Sequence, residues 1–198
     1  MMCKRKLALL TILLCICQAV QGAGDPVAGK EKATLCMQCH GEDGNSADSN
    51  IPKLSGQQAA YIVLAVTEFQ NGIRVNPLMS GISNVVDNQQ DLENIAAYFS
   101  AQPTMQGKGG DSELKSEGEK LFTTERCNYC HGDGGKRFAP FAGSPPVIGG
   151  QHKTYLIKAL QDIRDGKRPG DVYGLMVKIL GTLSDKQINA ITEYLSAL

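Results

Sequence analysis

The chain has 198 residues, enough for one or two domains, and carries 20 Lys plus Arg against 20 Asp plus Glu. Formal neutrality excludes a strongly basic nucleic-acid binder and an acidic disordered tail. With no Trp, 6% aromatic residues and 22 Gly, a large aromatic core or sugar-stacking platform is excluded and many turns are expected.

Residues 1–22 read as a secretory leader. Lys4, Arg5 and Lys6 form a positive start, 7–17 is an apolar run, and small and polar residues follow at 19–23. The run is short of the ~20 apolar residues that a membrane span needs. An uncleaved anchor helix is the competing reading. Cleavage is expected after Gly22 or Ala23. Leu14 and Ile16, before Cys15 and Cys17, are too bulky for a lipoprotein signal. Removing the leader takes Cys3, Cys15 and Cys17 with it. The rest holds 17 basic and 20 acidic residues, a net charge of −3, and four cysteines in two C-x-x-C pairs. Export places it in the periplasm, an oxidising compartment where such pairs do not persist as free dithiols.

In the exported part, Asp25 can cap a helix with Pro26 at its first position. Cys36-Met37-Gln38-Cys39-His40-Gly41 follows. Next come I-P-K-L-S-G-Q from Ile51, a helix over 61–71 stopped by Gly72, then Arg74, Leu78-Met79, and a last helix over 88–101 with Leu92, Ile95, Ala96 and Phe99 at helical spacing. Residues 102–111 are rich in Pro and Gly and lack apolar periodicity, so they read as linker. The series then repeats. Ser116 with Glu119 reads as a capping box. Cys127-Asn128-Tyr129-Cys130-His131-Gly132 lies 91 residues after its counterpart, P-P-V-I-G-G-Q from Pro145 lies 94 after, and Leu175-Met176 lies 97 after. A helix over 155–165 stopped by Gly166, Arg168, and a final helix over 184–197, capped by Ser184 and Gln187, complete the second copy. No alternating strand pattern occurs. The expected organisation is all-α: a signal peptide at 1–22, a domain at 23–103, a linker at 104–115 and a homologous domain at 116–198.

A helical unit of about 80 residues with so few large apolar side chains is short of core. C-x-x-C-H supplies the missing piece, because it is the attachment signature of c-type haem. Two thiols three residues apart can bond the two vinyl groups, and the next residue can ligate iron. Cys36, Cys39 and His40 would hold one haem, and Cys127, Cys130 and His131 another. Plainer readings compete. A redox dithiol does not explain the histidine twice, and a four-cysteine zinc site needs pairs 91 residues apart to meet. A disulfide across C-x-x-C is strained.

The exported chain has four methionines, Met37, Met79, Met105 and Met176. Met37 lies inside an attachment loop, and Met105 has no repeat mate. Met79 and Met176 match each other and are the candidates for the sixth iron ligand. Core packing is their alternative role. Pro52, and Pro145 or Pro146, can offer a carbonyl to the ligating His, with Leu54 and Ile148 packing on the haem face. Arg74 and Arg168 could pair with haem propionates or be solvated at helix ends. Tyr61 and Tyr155 read as core in preference to propionate donors, and His152, whose mate is Gln58, as a surface residue.

The doubled C-x-x-C-H, the P-x-L/I-x-G-Q stretch before a Tyr-led helix, the G-x-R end and the later Met resemble the cytochrome c4 family over the whole exported chain. The resemblance implies two tandem class I cytochrome c domains related by a pseudo-twofold axis. It implies two covalent haem c groups and an electron-transfer protein with no catalytic residues. Its role would be a periplasmic carrier from the respiratory chain to a terminal oxidase, often loosely held at the membrane. The partners are then redox proteins, an upstream donor and the oxidase, with no nucleic acid and no small-molecule substrate. The alternative is the dihaem subunit of a flavoprotein dehydrogenase such as sulfide dehydrogenase. One departure stands out: Arg168-Pro169-Gly170-Asp171 replaces Arg74-Val75-Asn76-Pro77, so the path to Met176 is longer.

Residues 23–103 hold 4 basic and 9 acidic residues, and residues 118–198 hold 11 basic and 8 acidic. This dipole is expected to orient encounters, with each domain docking a different partner.

Overall fold

The computed structural model describes residues 24–136, 145–169 and 174–198, so the leader lies outside the described residues. No strand occurs among them. The N-terminal unit holds α1 (Pro26–Lys32), α2 (Thr34–His40), α3 (Ala59–Gln70), α4 (Pro77–Ser83) and α5 (Gln89–Ser100). The C-terminal unit holds α6 (Ser112–Thr124), α7 (Cys127–His131), α8 (Lys153–Arg164), α9 (Leu175–Leu180) and α10 (Asp185–Ser196).

The ends of these helices follow local chemistry. The Asp25 carboxylate accepts from the Val27 N–H at 2.8 Å with Pro26 in the first turn. Asn88 caps α5, and Ser184 and Gln187 form the expected capping box on α10. One expected start is displaced. Ser116 lies inside α6, and Asp111 caps that helix by accepting from the Leu114 N–H at 2.8 Å. Asp111 follows Gly109 and Gly110, and nothing between it and Ser116 breaks a helix, so the earlier cap prevails.

In each unit the first helix crosses the last, backbone against backbone. A Cβ on Gly29 of α1 would lie 1.9 Å from the Asn94 carbonyl oxygen of α5, and one on Gly118 of α6 would lie 2.0 Å from the Ala190 oxygen of α10. No other residue fits there. Around these crossings lie two separate cores. The N-terminal one buries Ala33, Ile62, Ile95, Ala96, Tyr98 and Phe99. The C-terminal one buries Phe122, Leu156, Ile163, Leu180, Leu183, Ile188, Ile191, Tyr194 and Leu195.

The units meet along a seam with the expected pseudo-twofold symmetry. The Gln57 amide donates to the Val147 carbonyl and accepts from its N–H, both at 2.8 Å. The repeat mate Gln151 does the same to Lys53, both at 2.9 Å. The linker folds onto this seam. Met105, 1% exposed, donates its N–H to the Ser55 carbonyl, and the Lys53 ammonium donates to Gln106 O at 2.5 Å and Gly150 O at 2.7 Å. His152, read from sequence as a surface residue, lies on the seam instead, with Nε2 3.0 Å from the Ser46 carbonyl oxygen. Its mate Gln58 reaches across the other way to the Pro145 carbonyl.

Candidate haem-binding sites

Each Cys-x-x-Cys-His run is itself a short helix, α2 or α7, ending at the histidine and followed by a glycine, Gly41 or Gly132, at positive φ. Helical spacing places Cys36, Cys39 and His40 on one face, because residues three and four apart are neighbours there. Cys127, Cys130 and His131 repeat the arrangement. All four thiols are unpaired and half-buried. Burial pushes the Cys36 thiol above its ordinary value and the Cys127 thiol up to about 11. That is the reverse of the lowered pKa that makes a C-x-x-C pair reactive. The two pairs belong to different units, and no three His, Cys, Asp or Glu side chains converge as a metal-ligand set among the described residues. The dithiol and zinc readings therefore lose their support.

The two histidines are the most informative groups. His40 is 6% exposed and His131 5%. Nδ1 of His40 lies 2.8 Å from the Pro52 carbonyl oxygen, and Nδ1 of His131 lies 2.9 Å from that of Pro146. This chooses Pro146 over Pro145 and bears out Pro52. A carbonyl only accepts, so Nδ1 carries the proton and Nε2 keeps its lone pair. Burial pushes both imidazoles below their ordinary pKa, and the carbonyl bonds oppose this only in part. Each unit thus presents one neutral imidazole whose free nitrogen can ligate iron. Leu54 and Ile148 pack at the edges of the two cores, as expected for side chains that would line a haem face.

The candidate methionines occupy matching short helices. Met79 is half-buried on α4, where Asn76 caps the helix by accepting from the Leu78 and Met79 N–H groups at 3.1 and 3.0 Å. Met176 is half-buried on α9 and packs against the C-terminal core. Part of the longer path from Arg168 to Met176, residues 170–173, lies outside the described residues. Met105, sealed in the domain junction, is committed to packing.

The arginines sit differently from a solvated helix end. Arg74 Nη2 donates to the Tyr155 hydroxyl at 3.1 Å, and Arg168 Nη2 donates to the Tyr61 hydroxyl at 2.5 Å, each across the seam. Tyr61 and Tyr155 are accordingly half-buried cross-domain partners and not plain core. Arg168 Nε is sealed from solvent and has no hydrogen-bond partner among the described residues. An unmet buried donor of a charged group costs about 1–3 kcal/mol or more. A carboxylate such as a haem propionate is the acceptor that chemistry calls for, so the residues present fit the group.

The seam was not legible in the sequence. Tyr61 and Tyr155, Arg74 and Arg168, and Gln57 and Gln151 all share one offset of 94 residues. That identity of offset was the available signal, but repeat mates do not reveal which copies touch.

Comparison with known proteins agrees with this geometry. Residues 116–198 match the Cytochrome c family profile. Over 185 residues the chain is 40% identical to a cytochrome c4 of Pseudomonas aeruginosa, covering 89% of this chain and 90% of that one. A crystal structure of reduced recombinant cytochrome c4 from Pseudomonas stutzeri superposes with a TM-score of 0.80 at 37% identity, over 89% of this chain and 100% of that one. A relative 29% identical over 186 residues, 88% of this chain and 81% of the other, is a thiosulfate dehydrogenase electron acceptor of Stutzerimonas stutzeri. With a helical repeat, a paired Cys-x-x-Cys-His geometry and similarity to cytochromes c4 along most of its length, the chain belongs to the cytochrome c4 family, electron-transfer proteins with two covalently bound haem c groups in two class I cytochrome c domains.

Proposed function

We propose that this protein is a periplasmic electron carrier in which Cys36, Cys39, His40 and Met79 hold one haem and Cys127, Cys130, His131 and Met176 the other. The observation that carries the reading is the twofold occurrence of a buried neutral histidine, Nδ1–H donated to a proline carbonyl, at the end of a Cys-x-x-Cys helix. When bound, each haem supplies one iron that takes up and returns one electron. The chain does the rest. His40 and His131, oriented by the proline carbonyls, would offer Nε2 to iron, the thiols of Cys36, Cys39, Cys127 and Cys130 would tether the porphyrin, and Met79 and Met176 would each add a thioether ligand, which raises the reduction potential. The two units, the second opening at the Asp111 cap of α6 and joined to the first by the linker before it, give one carrier two separately docking ends. The N-terminal half is acidic and the C-terminal half basic, so an upstream donor and a terminal oxidase each find a different face.

A second reading is favoured by one specific observation. The relative named a thiosulfate dehydrogenase electron acceptor spans both domains of this chain. Our chain would then take electrons from a dehydrogenase instead of the respiratory chain. Size-exclusion of the native periplasmic fraction, with haem absorbance and thiosulfate-oxidising activity followed together, separates the readings. Haem eluting alone at the size of one chain supports the carrier. Haem co-eluting with an enzyme supports the second reading. The ligand assignment has its own test. Met79→His is expected to lower the potential of one haem and leave the other nearly unchanged; an unaltered reductive titration removes Met79 from the ligand set.

A further inference from the structure

At one end of the seam Arg74 and Tyr61 of the N-terminal domain meet Arg168 and Tyr155 of the C-terminal domain. The ring is not symmetric. Arg168 donates to both hydroxyls, Nη2 to Tyr61 at 2.5 Å and Nη1 to Tyr155 at 3.5 Å. Among the described residues Arg74 donates to Tyr155 alone, and its guanidinium carbon stands 4.5 Å over the Phe69 ring. Neither guanidinium has an ion pair with a carboxylate among the described residues. Glu68 feels both charges, but burial outweighs them and pushes its carboxyl above the ordinary range. It is a poor counter-ion. A phenol oxygen is a neutral acceptor, so no carboxylate among the described residues compensates the charge of Arg168, while its Nε is sealed from solvent and unpartnered. A planar guanidinium fixed at Nη2 has its Nε direction fixed too.

We propose that the N-terminal domain tunes the C-terminal haem through the Tyr61–Arg168 bond. This rests on the haem reading above. Tyr61 holds the guanidinium from the opposite domain, and Arg168 turns its Nε to a propionate of the haem in its own domain. Tyr61 is therefore a positioning residue that acts through Arg168. Two consequences follow from charge alone. A cation held beside the haem stabilises the added electron, so loosening it lowers the midpoint potential. A carboxylate sunk in the seam without its cation has a raised pKa. It would take up a proton from water as the neighbouring iron takes up an electron, and that midpoint would fall with rising pH. Among the described residues, the charged and titratable groups that face this point are Arg74, Glu68, Tyr61, Tyr155 and Arg168. With Arg168 in place the carboxylate stays ionised, and reduction carries no proton.

The test is an optical redox titration of the full-length holoprotein across the neutral pH range, with haem content measured as the pyridine haemochrome. The Met79→His background marks the N-terminal haem by its lowered potential. In that background Tyr61→Phe is expected to lower the midpoint of the other, C-terminal haem, although the substitution lies in the N-terminal domain. Arg168→Gln is expected to lower it further and to give it a falling pH profile, and Arg168→Lys to restore the flat profile. If Arg168→Gln yields no holoprotein, Tyr61→Phe decides alone. An unchanged C-terminal midpoint in Tyr61→Phe overturns the cross-domain tuning, including the case in which Arg168→Gln shifts it. Fewer than two haems per wild-type chain would instead overturn the haem reading beneath it.

Discussion

At the level of single residues, chemistry that is local in sequence was readable and chemistry that crosses the seam was not. Two thiols and an imidazole within five positions declare their use by spacing, and the proline carbonyls behind His40 and His131 follow from repeat position. His152 shows the opposite case. Nothing in its neighbours announces a partner at Ser46, 106 positions away, because contact across domains depends on tertiary packing. The placement has a consequence for pH. Burial pushes His152 below its ordinary pKa, the Lys53 and Lys108 charges push the same way, and the Ser46 carbonyl and Asp48 oppose them. The folded value thus lies under the unfolded one of about 6.5. The neutral imidazole contributes stability that is fully present above that pH. As pH falls through it, the unfolded chain takes up the proton first and stability is lost, until the depressed folded value is passed. His152→Gln, which installs the amide its mate Gln58 already has, should flatten this part of the melting-temperature profile. The check is thermal unfolding of both proteins between neutral pH and the onset of carboxylate titration. Parallel profiles would remove His152 as the source.

At the level of elements, the 12-residue helices and the capped start of α1 were legible, and the short helices α4 and α9 were not. α5 and α10 carry an apolar stripe over three turns and a side-chain cap, so period and start agree. α4 and α9 span seven and six residues, too few for a period to register. They exist because Asn76 and Pro77 start one and because packing against α3 and α8 holds both. The start of α6 failed for another reason. Ser116-x-x-Glu119 satisfies the capping pattern by composition but sits one turn inside a helix already begun by Asp111. The two positions should therefore differ sharply on substitution. Asp111→Ala removes the acceptor of the Leu114 N–H and is expected to cost about 1 kcal/mol. In a cooperative unit of this size that lowers the melting temperature by about 2–4 °C. Ser116→Ala, in the helix interior, is expected to change it by much less, since alanine is the better helix former there. Circular dichroism melts of the two variants decide, and equal losses would return the cap to Ser116.

At the level of the whole molecule, the two cores do not merge, and the join between them is polar. Gln57 and Gln151 are 3% and 4% exposed, and each side-chain amide completes a two-bond rung with the main chain of the other domain. Such residues look like surface in a sequence, which is why the repeat was legible and its docking was not. Their burial makes them costly to remove. Truncating one glutamine leaves a buried N–H and a buried carbonyl unmet, each at about 1–3 kcal/mol. Truncating both removes the rungs from each side of the axis while both apolar cores stay intact. The wild-type domains, sharing rungs and a linker folded onto them through Lys53 and Met105, should unfold in a single calorimetric transition. The Gln57→Ala, Gln151→Ala double variant should unfold in two, with each domain melting on its own core. The smaller N-terminal core, which has Ala33 where the C-terminal one has Phe122, should melt first. Persistence of one transition in the double variant would show that the Arg–Tyr ring and the linker suffice to couple the domains without the glutamine rungs.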